Sequence, residues 1–159
     1  MDKAQYELEL KHFVEDVGLV MEQLGQPRMA GRLVGWLLVC DPPHQSMTEL
    51  VEALQASKAS ISNTTRLLIH VGLIERISLP GYRHDHYRLK SGAWVQLTKA
   101  RLSQIYTIRQ LADRGLALLA GERPELKQRL SEMQSVYAFW EEEMPLLLER
   151  LEQTQKKLA

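Results

Sequence analysis

The sequence predicts a mainly α-helical protein carrying one small β-hairpin. Apolar residues recur at helical spacing along most of the 159 residues, and the strand-like pair 74–79 and 86–89 brackets Pro80-Gly81. Residues 46–89 also present cap, short helix, tight turn, cap, second helix, glycine stop and hairpin in that order. Two short helices, a turn and a hairpin in succession make a winged helix-turn-helix. Here it is flanked by an N-terminal helix and two long C-terminal helices.

Each element has its own signal. Residues 6–24 place Leu10, Phe13, Val14, Val17 and Met21 at helical spacing with charges opposite, and Gly25 and Pro27 close the segment. Residues 28–40 form a second helix, apolar on most sides and therefore central, in which Gly31 and Gly35 share a face that lets another helix come close. Asp41-Pro42-Pro43 stops it, because proline lacks the helical N–H and pushes its predecessor to extended geometry. Ser46 and Glu49 have the spacing of a capping box, followed by Leu50, Val51 and Leu54 as a buried stripe. Ser57 caps the next helix, whose inward positions are Ile61, Thr65, Leu68 and Val71, with Gly72 as its C′ residue. The hairpin follows, with Tyr82, Arg83 and His84 in its loop. A long helix over 91–120 ends at Gly121, and a last one starts at Pro124 and runs to about 157, with Pro145 expected to kink or interrupt it. The expected organisation is a packing and dimerisation helix (1–27), a winged domain (28–90) and a helical dimerisation and effector region (91–159).

Composition narrows the classes. Formal net charge is zero, but it is unevenly spread. Residues 1–25 carry six acids against two bases, whereas residues 44–90 carry six bases against four acids, with four histidines besides. No acid lies between Glu52 and Glu75, so the second motif helix presents only positive charge. Such an excess supports moderate, salt-sensitive binding to a polyanion. Cys40 is the one cysteine, which excludes an intramolecular disulfide and a cysteine zinc cluster, and its place at the end of an apolar run points to a buried, inert thiol rather than a peroxide sensor. The longest apolar run, 33–40, is far short of a bilayer span, and the acidic N-terminus does not look like a signal peptide, so a cytoplasmic protein is expected.

A helix that enters the DNA major groove needs short polar or basic side chains on its outer, N-terminal face. The candidates are Ser57, Lys58, Ser60, Ser62, Asn63 and Arg66, with Arg83 and His84 of the wing reaching phosphates or the minor groove. The stretch TELVEALQASKASISNTTRLLIHVGLIER resembles the winged helix of MarR-type transcriptional regulators. The segments FVEDVGLVMEQLGQPRMAGRLVGWLLVCDPP and YAFWEEEMPLLLERLE look like the GbsR-like subgroup. What the resemblance implies is a homodimer joined by its terminal helices, with two winged domains reading a pseudo-palindromic operator as a ligand-responsive repressor. The chain departs from the common pattern in having Asn63 where arginine is frequent and Leu67 where a polar residue is frequent. Two long helices with wide apolar faces support dimerisation independently, and a two-fold dimer sets its reading helices about 34–36 Å apart.

Other constellations are weaker. Trp94, Tyr106, Tyr137 and Trp140 could contribute to an aromatic cage for a cation, and the GbsR-like resemblance suggests a quaternary ammonium effector. His84, Asp85 and His86, with His44, have metal-binding chemistry, but histidines two apart on a hairpin are more often solvated, so no metal and no cofactor is expected. No nucleophile triad, paired-carboxylate motif or phosphate loop occurs at an interpretable spacing, which argues against an enzyme. Zero net charge keeps a second reading open, a winged helix that docks a protein instead of DNA.

Overall fold

The computed structural model describes residues 2–158, with side chains through residue 157. It divides into two compact units, one ending at Ala93 and the other beginning at Trp94. The first unit contains α1 (Lys3–Gln23), α2 (Arg28–Val39), β1 (Gln45–Ser46), α3 (Met47–Leu54), α4 (Lys58–His70), β2 (Ile74–Ile77) and β3 (His86–Leu89). Asp2 caps α1 through its carboxylate, which accepts from the Gln5 N–H at 2.8 Å. The core is built from Leu33 and Val34 of α2, Leu50 and Leu54 of α3, Ile61 and Leu68 of α4, and Ile74 of β2, all essentially inaccessible to solvent.

The glycines of α2 do what their spacing predicts. A Cβ on Gly31 would lie 2.7 Å from the Val17 carbonyl oxygen and 2.8 Å from the Gly18 Cα, so α1 and α2 touch backbone to backbone there. Gly35 continues the contact against Val14 and Val17.

The sheet has three strands, not the two of a simple hairpin. In the order β1-β3-β2, Gln45 and Ser46 pair with Tyr87 and His86, and β2 pairs with β3 from Ile74↔Leu89 to Ile77↔His86, all antiparallel. Strand β1 escapes the sequence reading because two polar residues carry no period. Its anchor is Gln45, a buried side chain whose Oε1 accepts from the Trp36 indole N–H at 3.2 Å and whose Nε2 donates to the His44 carbonyl at 3.0 Å. The second strand also ends earlier than expected, at Ile77. On α4, Ile61, Thr65 and Leu68 are buried as predicted, but Val71 is exposed. The helix ends at His70, Val71 becomes its C-cap and Gly72 turns left-handed with φ 77°, so Leu73 takes the core position instead.

The second unit holds α5 (Ala93–Leu118), from its second residue onward, and α6 (Pro124–Leu158). They run antiparallel and are bridged by Lys99–Glu152 at 2.5 Å, by Arg109–Glu141 and by Gln134, whose amide donates to Asp113 at 2.6 Å. Leu130 lies over Gly115, where a Cβ would meet its Cδ1 at 2.8 Å. Helix α6 is not interrupted at Pro145. Pro145 has no N–H to bond the Glu141 carbonyl one turn earlier, yet the helix runs on through it.

Candidate nucleic-acid interface

The reading head starts from two caps. Ser46 accepts from the Glu49 N–H at 3.3 Å while the Glu49 carboxylate accepts from the Ser46 N–H at 2.6 Å, the reciprocal capping box anticipated from sequence. The Ser46 backbone and hydroxyl bonds hold the Glu49 carboxyl below its ordinary pKa. Ser57 caps α4, its hydroxyl oxygen accepting from the Ser60 N–H at 3.2 Å. A three-residue turn, Gln55 to Ser57, therefore separates two capped helices.

Along α4, Lys58, Asn63 and Arg66 are exposed, while Ser60 and Ser62 are half-buried. Ser57 is exposed but its hydroxyl serves as the helix cap. Arg66 folds back on its own helix: one guanidinium N–H bonds the Asn63 side-chain oxygen and Nε donates to the Ser62 carbonyl at 3.4 Å. Residues 58, 62 and 66 stand at successive i, i+4 positions, so exposed Lys58 and Arg66 share one line along α4 with half-buried Ser62 between them.

The wing is built around a tight turn. The Tyr82 N–H donates to the Leu79 carbonyl at 3.1 Å, with Pro80 next and Gly81 at φ 86°, the backbone of a type II turn. Arg83 and His84 are both exposed at the tip. The Tyr82 ring is exposed as well but lies edge-on to the buried His86 at 4.8 Å, and His86 meets His44 edge-on at 5.2 Å. His86 Nδ1 lies 3.1 Å from the His84 carbonyl oxygen, which ties the tip to its root. Across the strands, Arg88 Nε donates to Glu75 at 2.7 Å, and Arg76 lies 3.4 Å from Asp85. A cavity of about 420 Å³, lined by residues that include Ser46, Thr48, Lys58, His84 and Tyr87, opens between the helix N-termini and the wing.

The remaining candidates separate. Among the described residues no cluster of three histidine, cysteine or carboxylate side chains could hold a metal ion. Trp94, Tyr106 and Trp140 are exposed and Tyr137 half-buried. Trp94 and Tyr106 lie about 18 Å apart along α5, and the pairing of residue 99 with 152 sets Trp94 about 26 Å along the hairpin from the level of Trp140. One protomer does not bring these four rings together. Phe139 and Trp140 do form an edge-on pair, at 5.5 Å. Burial pushes the Cys40 thiol up to about 11, with the Asp41 and Glu49 carboxylates adding to the shift. Its thiolate fraction at neutral pH is correspondingly small, so disulfide exchange with Ellman's reagent at pH 7.5 should run about 100-fold slower than in the urea-unfolded chain. Equal rates in the two states would contradict the burial.

Sequence reasoning passed over the arginines of α2. Arg28 and Arg32 both bond Glu15 of α1, at 3.0 and 2.6 Å. The signal was present as two bases four residues apart on an otherwise apolar helix.

A capped helix-turn-helix with an outward polar and basic stripe, followed by a β-wing with a basic tip, defines a winged-helix DNA-binding protein. The chain belongs to the MarR family of transcriptional regulators. Residues 92–154 match the family described as MmpR5-like MarR family transcriptional regulator. The chain is 40% identical to the HTH-type transcriptional regulator MmpR5 of Mycobacterium tuberculosis, over 89% of this chain and 86% of that one. It is also similar to a solved crystal structure of a transcriptional regulator, with TM-score 0.76 and 39% identity over 91% of this chain and 99% of that one. A more distant relative is the HTH-type transcriptional repressor OpcR of Bacillus subtilis, 23% identical over 82% of this chain and 75% of that one. These relatives are named as regulators, not as enzymes. The MarR-type resemblance of the sequence agrees with them, and the subgroup matched is the MmpR5-like one. No helix among the described residues is long and apolar enough to cross a membrane.

Proposed function

We propose that the protein is a homodimeric, ligand-responsive repressor that reads a pseudo-palindromic operator with α4 and steadies itself with the wing. The observation that carries the dimer is the apolar surface left on α5 and α6, where Tyr106, Leu111, Leu118, Phe139, Trp140 and Leu147 are all exposed. Water-facing apolar side chains in that number, on helices of 26 and 35 residues, favour a partner surface. Lys58, Asn63 and Arg66 with Arg83 and His84 are the proposed DNA contacts, and the cavity between α4 and the wing is the entry for a phosphate backbone. The repressor role is supported by the name of OpcR. In this reading the effector carries a quaternary ammonium group, and Trp94, Tyr106, Tyr137 and Trp140, which one protomer does not bring together, are its candidate contacts from two protomers. An effector between the long helices would alter the spacing of the two reading helices and so misfit them to fixed half-sites. As a DNA reader the protein would act in the cytoplasm.

Sedimentation equilibrium at micromolar concentration, with and without a duplex from the DNA upstream of its own gene, tests this reading. A species of twice the 18.3 kDa chain mass that binds one duplex, with affinity falling steeply as salt rises, is the expected result. A monomer, or affinity indifferent to salt, would overturn it.

A further inference from the structure

We propose that Arg32 is a positioning residue for DNA reading, a clamp that fixes the end of α3 and thereby the turn that aims α4. The guanidinium reaches two elements at once. Its Nε donates to Glu15 Oε1 of α1 at 2.6 Å, and its Nη2 donates to the Leu54 carbonyl of α3 at 3.0 Å. Leu54 is the last residue of α3, where the helix supplies no further N–H for its carbonyl. A charged donor with only 22% of its side chain exposed makes a strong partner for that oxygen.

The neighbouring residues are shaped to the clamp. Arg28 bonds the other oxygen of Glu15, so the carboxylate is held from both sides. Gly18, one turn beyond Glu15, makes room for both stems: a Cβ there would lie 2.8 Å from Arg32 Cγ and 3.3 Å from Arg28 Cγ. Glu15 and Gly18 together form a saddle on α1, glycine for the stems and carboxylate for the heads.

What the clamp holds is the hinge of the reading head. Immediately after Leu54, Gln55 adopts φ 48° and ψ 46°, a left-handed conformation that costs energy for any residue but glycine. Gln55, Ala56 and Ser57 are the whole connection between α3 and α4. Arg66 lies about 12 Å along α4 from Lys58, so a tilt of about 10° at this turn moves it about 2 Å. That displacement is enough to break a hydrogen bond to a base edge but leaves a long flexible side chain within reach of a phosphate. Arg32 touches the turn from the side of α2 and α1, away from the exposed stripe, and so acts through geometry. The inference rests on the DNA-binding reading of α4.

The test compares Arg32→Gln, Arg32→Lys and Glu15→Gln with wild type on two duplexes: one selected by the wild-type protein from a randomised pool, and a scrambled control. Affinities are read across a salt series well below each variant's unfolding transition in urea. Arg32→Gln is expected to lose about tenfold in affinity for the selected duplex, with scrambled-duplex affinity and salt slope unchanged. Arg32→Lys should behave like it, since one ammonium cannot bridge carboxylate and carbonyl in the fork geometry of arginine. Glu15→Gln should fall between. A variant that is less stable but keeps the wild-type ratio of selected to scrambled affinity would show a merely structural role and overturn the proposal. If Arg32→Gln does not fold, the same ratio is read on Glu15→Gln and decides in the same way. A wild-type protein that selects no sequence would instead defeat the DNA reading itself, and the clamp with it.

Discussion

Gly31→Ala is expected to lower the unfolding free energy by about 2 kcal/mol or more, although alanine is the better helix former by about 1 kcal/mol. The sign follows from which atoms a methyl group would meet. They are the Val17 carbonyl at 2.7 Å and the Gly18 Cα at 2.8 Å, both backbone atoms of α1 that no rotamer change can move aside. The two helices must separate, and with them the Arg32 clamp and the Val14 contact at Gly35. Gly121 is the control: nothing lies within 4 Å of a Cβ there, and Gly121→Ala should stay within about 0.5 kcal/mol of wild type. Urea titration of both variants at one protein concentration measures the contrast. A Gly31→Ala midpoint equal to that of Gly121→Ala would mean that α1 shifts without cost.

That contact was legible because glycines four apart on an apolar helix have a single strong physical use, close approach. The caps at Ser46 and Ser57 and the Gly72 stop were legible for a similar reason, since each satisfies backbone groups by a local rule. Three features were not. Strand β1 exists because β3 offers it a free edge, and no pattern within Gln45–Ser46 announces that. Val71 lies on the helical period yet faces solvent, because the chain leaves the helix one residue earlier and Leu73 fills the space. Pro145 removes one bond from the ladder of α6 without ending the helix, whose other bonds continue on both sides.

The interface itself was half legible. Of the residues that sequence places on the outer face of α4, Lys58, Asn63 and Arg66 are exposed, while Ser60 and Ser62 are half-buried. Sequence does not show that Arg66 is engaged by Asn63, or that the exposed Tyr82 ring lies edge-on to the buried His86. Nor does it show the Arg32 bridge, whose partners Glu15 and Leu54 lie 17 and 22 positions away.

The variant carrying both Lys58→Ala and Arg66→Ala should lose at least about 100-fold in affinity for an upstream duplex at 150 mM salt, while remaining as stable and as oligomeric as wild type. Each side chain is exposed on α4, and neither makes a contact that holds the fold, so removal should change stability by no more than about 0.5 kcal/mol. Their loss from the interface is different in kind. A phosphate contact given up shallows the dependence of log affinity on log salt by about one, and a lost base contact costs about 1–3 kcal/mol of discrimination. Arg66 first has to leave Asn63 to reach a base, so the single variants separate the roles. Lys58→Ala should weaken selected and scrambled duplexes alike and flatten the salt slope. Arg66→Ala should weaken the selected duplex far more than the scrambled one. Fluorescence anisotropy across a salt series reads both quantities at once. Wild-type affinity in the double variant would remove α4 as the reading helix, whereas equal losses on both duplexes from Arg66→Ala would leave α4 at the phosphate backbone and assign sequence reading to the wing.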